Sequence, residues 1–331
     1  MDKGVIPWLL EPDNPSVRYF ALLELLGKNL ADAEVAQARD AIMQYGTAAD
    51  ILALQEAGGF WGIPGNFYTQ KYTGTTWQLL ILAELGADPT DGRIKKASEF
   101  IFKHSQDPAS GGFSYTQSAK TGTGIPSGVV PCLTGNMVWS LIKLGYLEDE
   151  RIQKAIAWIS RYQRCDDGVA DYPADWPYDR YRMCWGTHSC HMGVVKALKA
   201  LAAIPPALRN QSVKNKIAEM VEYLLKHHLY RKSHDLNAVA KPGWLKLGFP
   251  LMYQSDILEI LEILTDLEVH DQRMESALNI LRSKRKADGR WKLENTFNGK
   301  MLVNIEAKGQ PSKWITLKAL KVLSHHNLIS S

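Results

Sequence analysis

Apolar residues recur along this chain in two alternating patterns, each with the period of an α-helix. In the first pattern nearly every face of the helix is apolar, as is typical of buried helices. In the second pattern one face carries Lys, Arg and Glu, as at 150–161 and 271–282, which is typical of outer helices. The first pattern predicts inward-facing helices at 75–86, 134–145, 189–203, 255–265 and 313–324.

The two patterns form a repeat whose copies recur at roughly 45 to 75 residues, with an irregular first copy, as terminal repeats often are. Six apolar helices begin near residues 15, 75, 134, 189, 255 and 313. Six inner helices ringed by about six outer ones predict an all-α protein folded as a closed α/α toroid. No pair of β-branched runs is joined by a hairpin turn. The even spread of repeats predicts a single domain over residues 1–331.

Composition and charge exclude several classes of protein. Charged residues make up 22% of the chain, and 39 basic against 35 acidic residues give a net charge of +4, which is typical of soluble proteins. The densest basic cluster, at 282–286, indicates a solvated helix end rather than a nucleic-acid-binding arm. No apolar run reaches the roughly 18 residues of a membrane span, and the N-terminus does not resemble a signal peptide.

The four cysteines are irregularly spaced, which favours reduced thiols over a disulfide framework. We therefore expect a cytoplasmic protein with no nucleic-acid partner and no membrane span. The sequence does not specify an oligomeric state.

Four turns between helix pairs contain Gly with an aromatic or acidic residue, and the first three begin with Gln: QEAGGFW at 55–61, QDPASGGF at 106–113, QRCDDG at 163–168 and RKADGRW at 285–291. They resemble the Gln–Gly–Trp repeat of squalene cyclases and protein prenyltransferase β subunits, and the resemblance covers essentially the whole chain. It implies an α/α toroid that binds an isoprenoid-like or other small hydrophobic substrate in its cavity. The Asp-x-Asp-Asp motif with which class II terpene cyclases protonate their substrates is absent, so proton-initiated cyclisation is not expected.

The segment MCWGTHSCHMG, at 183–193, concentrates Cys and His residues where the fourth inner helix begins. A helix N-terminus lowers the pKa of a nearby thiol, and thiolate and imidazole are preferred ligands of zinc. The pattern predicts a zinc site at the cavity mouth, with Cys190 and His191 joined by Cys132 or His188. Ordinary core packing of these side chains is the alternative.

Two zinc-binding families resemble parts of this arrangement. Protein prenyltransferase β subunits hold zinc with an acid, a cysteine two residues later, and a histidine that opens a later inner helix. His188 and Cys190 have that spacing with histidine in place of the acid, and Asp256 opens the next inner helix. Lanthionine cyclases use an isolated cysteine and a later Cys-His pair, to which Cys132 and Cys190–His191 are similar. The resemblance implies zinc as the cofactor.

Asp256 and Tyr253 are the candidate catalytic residues. They open an inner helix composed largely of Ile and Leu. A charged side chain is tolerated there only at the mouth of the cavity or beside a side chain that pairs with it. The favoured function is a zinc-dependent enzyme in which the metal acts as a Lewis acid on a hydrophobic substrate.

Two other functions stay open. A carbohydrate-active toroid enzyme would need two carboxylates about 5 to 10 Å apart, and the candidates are Asp175, Asp179, Asp256 and Glu294. A non-catalytic module that binds a lipid or a protein partner is the other alternative.

Overall fold

The computed structural model describes residues 4–329, and within them the protein is helix-rich. The helices are α1 (Val5–Leu9), α2 (Pro15–Phe20), α3 (Ala33–Ile42), α4 (Thr47–Ala53), α5 (Thr75–Glu84), α6 (Gly92–His104), α7 (Pro131–Lys143), α8 (Glu150–Tyr162), α9 (Arg182–Trp185), α10 (His191–Ala202), α11 (Gln211–Lys226), α12 (Ile257–Asp266), α13 (Glu275–Ser283) and α14 (Lys313–His325). A π-helical turn, Ala21–Leu25, continues α2. None of the helices between residues 4 and 329 has the length and apolar character that crossing a bilayer requires.

The apolar helices predicted from the sequence are present as α5, α7, α10, α12 and α14. All ten residues of α5 are buried. Helix α7 begins at Pro131, three residues before the predicted start, because proline is well suited to the first turn of a helix. Helix α10 begins two residues after its predicted start, since Cys190 is its N-cap.

The apolar helices contact one another in chain order. Helix α7 packs against α5 and α10, α10 against α12, α12 against α14, and α14 against α2 and its π-helical continuation. At the other end of the series, Gly86 follows α5 and lies against the ring of Phe20 in α2. The amphipathic helices α3, α6, α8, α11 and α13 each pack on one of these helices. One cluster of buried apolar side chains extends from Val5 to Leu323.

A short β-ribbon differs from the expectation that the chain contains no hairpin. Within the described part of the chain its strands are β1 (Arg231–Lys232) and β2 (Asp235–Val239), which pair antiparallel. The ribbon is polar and only partly buried. Neither strand therefore has the alternating apolar residues that would have predicted it.

The turns that carry the repeat motif make the same main-chain contact in three copies. In each, the backbone N–H of the aromatic residue donates to a buried threonine Oγ1 in the next apolar helix, and the pairs are Trp61–Thr75 at 3.1 Å, Phe113–Thr134 at 3.0 Å and Trp291–Thr316 at 3.0 Å. The indole N–H groups of Trp61 and Trp291 each donate at 2.8 Å to a carbonyl near the end of the preceding helix. The motif therefore joins the end of one helix to the start of the next.

Glycine is required at the centre of these turns. Gly59 and Gly111 have φ values of +82° and +84°, and a Cβ there would lie 2.8 to 2.9 Å from backbone atoms of Lys96 or Lys154. Only glycine adopts this conformation and leaves room for the neighbouring helix.

Three outer helical segments begin with the same pair of residues, an aspartate that caps the helix and an arginine two positions later: Asp91–Arg93, Asp149–Arg151 and Asp271–Arg273. The guanidinium groups of Arg151 and Arg273 also reach carboxylates of the preceding outer helices, Glu99 and Glu222. These pairs connect successive repeats along the protein surface, where each ion pair contributes little stability on its own.

Candidate functional site

Three cysteines from separate elements form a thiol cluster, made of Cys132, Cys184 and Cys190. Cys132 lies in the first turn of α7, Cys184 in α9, and Cys190 is the N-cap of α10. The backbone N–H of Cys190 donates to the Cys184 carbonyl at 3.1 Å, and the Cys184 thiol donates to the Cys190 sulfur. Cys132 is close enough to interact electrostatically with both. All three are free thiols and partly buried.

The three thiols differ in acidity. The hydrogen bond from Cys184 lowers the pKa of Cys190 to about 6 against the effect of burial, and the N–H groups of Met192 and Gly193 act in the same direction. Burial raises the pKa of Cys132 to about 12. The pKa of Cys184 is also raised, chiefly because its proton is held against Cys190. Cys190 is therefore the most acidic thiol of the cluster and the one that most readily forms a thiolate.

An aromatic wall, made of Tyr68, Tyr72, Trp77 and Tyr253, adjoins the thiol cluster. The Trp77 ring is central, with centroids 4.9 Å from Tyr68, 5.1 Å from Tyr72 and 6.4 Å from Tyr253. The indole N–H donates to the Tyr68 carbonyl at 2.9 Å, which fixes the ring. Burial raises the pKa of Tyr68, as does the charge of the nearby thiols. The Tyr68 phenol therefore stays neutral, and it lies beside the Cys132 and Cys184 thiols of the cluster.

His191 points away from the thiol cluster. Its ring packs 4.7 Å from Trp244, 5.6 Å from His227 and 5.7 Å from Tyr223, between α10 and α11. Burial lowers its pKa to about 3. Cys190 has extended backbone, with φ −64° and ψ 112°, whereas His191 is already helical. The two side chains leave the backbone in different directions for this reason.

His188 lies in a third environment. Its Nδ1 accepts the backbone N–H of Gly168 at 3.1 Å and lies 3.1 Å from Ser233 Oγ and 3.3 Å from Asp167 Oδ1. The side chain is 45% exposed. His188 thus links a loop to the β-ribbon.

The predicted zinc ligands are therefore divided among three environments, with Cys132 and Cys190 in one and each histidine in another. Between residues 4 and 329 no three Cys, His, Asp or Glu side chains are grouped so that they could hold a metal ion. Zinc requires at least three protein ligands around one point. The donor set does not fit zinc as arranged, and we assign no catalytic step to a metal.

Asp256 caps helix α12 and is 1% exposed. One carboxylate oxygen accepts the N–H of Glu259 at 2.9 Å and the other accepts that of Gly248 at 2.8 Å. Burial raises the Asp256 pKa to about 7 despite these bonds. Both oxygens are thus engaged in structure, whereas the partly buried Tyr253 belongs to the aromatic wall.

The middle of the apolar helices contains an ionic core that the sequence analysis missed, made of Glu84, Lys196, Lys199, Glu259, Glu262 and Lys318. The Lys196 ammonium, 0% exposed, donates to both oxygens of Glu259 at 2.7 Å. Lys199 bonds to Glu84 and to Glu259, and Lys318 bonds to Glu262 at 2.7 Å.

A cavity of about 10 Å³ lies beside the ionic core and is also lined by Asp256 and Phe249. That volume holds about one water molecule. The sequence predicts a hydrophobic substrate in an internal cavity, and this space is both too small and too charged for one.

Two of the four carboxylates proposed for carbohydrate chemistry, Asp256 and Glu294, have structural partners. Glu294 forms an ion pair with Lys284 at 2.7 Å and accepts the N–H of Leu247 at 2.9 Å. Together with the capping role of Asp256, this leaves neither residue free to act as a general acid or base.

No protein-family model matches the chain, and no curated protein does so either. Among solved structures the chain is similar to a protein from Actinoplanes, with 14% identity, a TM-score of 0.45, and coverage of 95% of this chain and 90% of that one. It is also similar to the type II terpene cyclase MstE from Scytonema in complex with geranylgeranyl dihydroxybenzoate, with 14% identity, a TM-score of 0.43, and coverage of 99% and 100%. The apo form of the same cyclase gives 16% identity, a TM-score of 0.42, and coverage of 98% of each chain.

Proposed function

We propose that the helices form an α/α toroid with α2, α5, α7, α10, α12 and α14 as its inner ring. The serial contacts among these helices support the proposal, as does the approach of Gly86 to Phe20. The outer position of the amphipathic helices supports it too. A crystal structure in which another element separates α5 from α2 would contradict it.

We propose that the protein is an enzyme acting on an isoprenoid-like or other hydrophobic substrate, bound against the aromatic wall, with the Cys190 thiolate as nucleophile. The observation that carries the proposal is that the thiol cluster, in which Cys190 has the lowered pKa, adjoins the aromatic wall where Cys132 and Cys184 lie near Tyr68. Buried aromatic faces provide apolar contact area and attract positive charge that develops on a substrate carbon. The Cys190 thiolate would form a C–S bond to such a carbon while the bond from that carbon to a leaving group of the substrate breaks, and the leaving group would depart with the electron pair.

The proposal includes neither proton-initiated cyclisation nor zinc. The chain lacks an Asp-x-Asp-Asp motif, and both carboxylate oxygens of Asp256 accept backbone N–H groups. Zinc stays a prediction of the sequence alone.

Alkylation of the thiols tests this proposal. The full-length protein is treated with iodoacetamide between pH 5 and 9, with or without farnesol, and each cysteine is followed by mass spectrometry. We expect Cys190 to react first, with a rate that rises through pH 6, and we expect farnesol but not glucose to slow it. Cys165 is the internal control, because burial raises its pKa. The proposal fails if farnesol gives no protection or if Cys190 reacts no faster than Cys165.

A further inference from the structure

Lys71 lies over the aromatic wall without an acidic partner. Its ammonium nitrogen is 4.5 Å from the centre of the Tyr253 ring and 5.3 Å from that of Tyr68. Among residues 4–329, no carboxylate forms an ion pair with it. Lys71 is exposed, so water and the two ring faces are the partners of its ammonium group, and the rings already hold one positive charge.

Three buried amide oxygens around the same wall have no hydrogen-bond donor among the described residues, namely Gln78 Oε1, Asn136 Oδ1 and Gln254 Oε1. Their NH₂ groups donate to the Tyr72 carbonyl at 2.9 Å, the Met252 carbonyl at 3.0 Å and the Tyr72 hydroxyl at 3.0 Å respectively. Because a carbonyl can only accept, the NH₂ groups of Gln78 and Asn136 must face these partners. The amide oxygen of each of these two side chains is then left without a hydrogen-bond donor.

A buried acceptor without a donor costs about 1–3 kcal/mol, so such atoms indicate a donor supplied by water or by a ligand. Two of the free oxygens belong to Gln78 and Gln254, which donate hydrogen bonds to Tyr72. The third belongs to Asn136, which donates to Met252, the residue before Tyr253. Ring faces attract a cation, and free carbonyl oxygens require N–H donors. If a ligand displaces the Lys71 ammonium from the rings, an anionic group in its place would face these acceptor oxygens and the ring faces, which disfavours a carboxylate or phosphate head on that ligand.

We propose that the aromatic wall binds the protonated amine of an organic ammonium ligand, with Lys71 as the built-in occupant that the ligand displaces. The inference rests on the proposed function only in using the same wall, since it specifies the charged group of the ligand. The ligand combines an apolar body, which packs on the rings, with an ammonium group whose N–H bonds satisfy the free amide oxygens.

Calorimetry on the full-length protein at pH 7 tests the inference with four probes of equal chain length: n-hexylammonium, hexyltrimethylammonium, hexanol and hexanoate. We expect n-hexylammonium to bind most tightly. Hexyltrimethylammonium keeps the charge but has no N–H donor, so it should bind several-fold more weakly. Hexanol should bind more weakly still, and hexanoate should not bind.

Two variants extend the test. Lys71→Met removes the internal competitor and should tighten n-hexylammonium binding several-fold, whereas Lys95→Met, an exposed lysine on α6, should change nothing. Gln78→Leu removes one of the three acceptors and should reduce the preference for n-hexylammonium over hexyltrimethylammonium.

The opposite results overturn the inference. Equal binding of the two cations would mean that water satisfies the amide oxygens, and weaker binding by Lys71→Met would mean that Lys71 anchors the ligand. If no hexyl probe binds but farnesol still protects Cys190, this inference fails and the proposed function stands. If ammonium binds but farnesol does not protect, the proposed function fails and the inference stands.

Discussion

The thiol cluster and the ionic core place reactive groups inside the same set of helices, but only the ionic core pairs every charge. In the core, burial alone would raise the Glu84 pKa, yet Lys199 and Lys318 lower it to about 2. At the thiol cluster, the Cys190 thiolate is stabilised by a neighbouring thiol, by backbone N–H groups and by the more distant charge of Lys241. A buried charge with matched partners in direct contact serves structure, whereas a charge held mainly by neutral donors remains available for chemistry.

Removing one charge of the ionic core should have the largest effect. Lys196→Met leaves Glu259 buried without its principal partner, and we expect the free energy of unfolding to fall by about 3–5 kcal/mol. Chemical denaturation measures this change. The exposed Lys214→Met should stay within about 0.5 kcal/mol of the parent protein.

The double variant Lys196→Met, Glu259→Leu sharpens the same test, because removing both charges eliminates the unpaired one. It should recover part of the lost stability. If it is no more stable than Lys196→Met alone, the pair does not act as a matched charge and the contrast with the thiol cluster fails.

The pH dependence of stability should reveal Asp256. Its folded pKa of about 7 lies above its ordinary value of 3.8, so between these values the folded protein holds a proton that the unfolded chain has lost. The associated stability is fully present below the ordinary value and is lost as pH rises through about 7. The slope is at most about 1.4 kcal/mol per pH unit. Asp256→Asn should lack this decline when unfolding is measured from pH 4 to 8.

The exposed Asp50→Asn is the matched control for Asp256 and should retain the parent profile. A parent protein whose stability rises steadily between pH 4 and 7, with Asp256→Asn following the same curve, would show that the Asp256 carboxylate is ionised throughout that range.

The thiolate should depend on its neighbouring thiol. Cys184→Ala removes the main donor to Cys190, whose pKa then rises toward that of an ordinary thiol. We expect alkylation of Cys190 by iodoacetamide at pH 7 to slow by about tenfold, with the difference disappearing above pH 9. Cys165→Ala should leave the rate unchanged. An unchanged rate in Cys184→Ala would assign the acidity of Cys190 to the start of the helix alone.

The smallest expected effect is on the turns that carry the repeat motif, which lie outside both the thiol cluster and the ionic core. Thr75→Val leaves the backbone N–H of Trp61 without its acceptor, and Thr316→Val does the same to the backbone N–H of Trp291. Each substitution should lower the free energy of unfolding by about 1–2 kcal/mol in denaturation experiments. The two sites are remote, so the double variant should show the sum. The two Ser variants keep the hydroxyl and should cost less. Clearly unequal losses of stability in the two Val variants would mean that the two turn hydrogen bonds are not equivalent.

The helices could be predicted because their signal is local. Apolar periodicity placed α5 and α14 with the correct first residue, and proline explains the earlier start of α7. The ionic core could not be predicted in this way, since Lys196 meets Glu259 at a separation of 63 residues and Lys199 meets Glu84 at 115. Nothing in the sequence around either lysine indicates its partner.

The candidate site was predicted in part. The sequence predicts functional roles for Cys132, Cys190 and Tyr253, and the structure brings these residues into or beside one site. Cys190 and His191 are adjacent in sequence, and for this reason the pattern predicts that they act as a pair. The change from extended to helical backbone between them separates their side chains. The role of Cys184 depends on the turn that folds α9 back on the start of α10, which local sequence does not specify.

The hydrogen bond from a turn N–H to a threonine hydroxyl has a consequence for how this architecture evolves. The contact is made by a main-chain N–H, so Trp61, Phe113 and Trp291 satisfy it equally at 3.0 to 3.1 Å. Natural selection can therefore exchange the aromatic side chain while the hydrogen bond persists. The sequence motif of the repeat then becomes unrecognisable before the geometry of the turn changes. Ancestry in such a chain is better traced through the paired hydroxyls and positive-φ glycines than through the tryptophans.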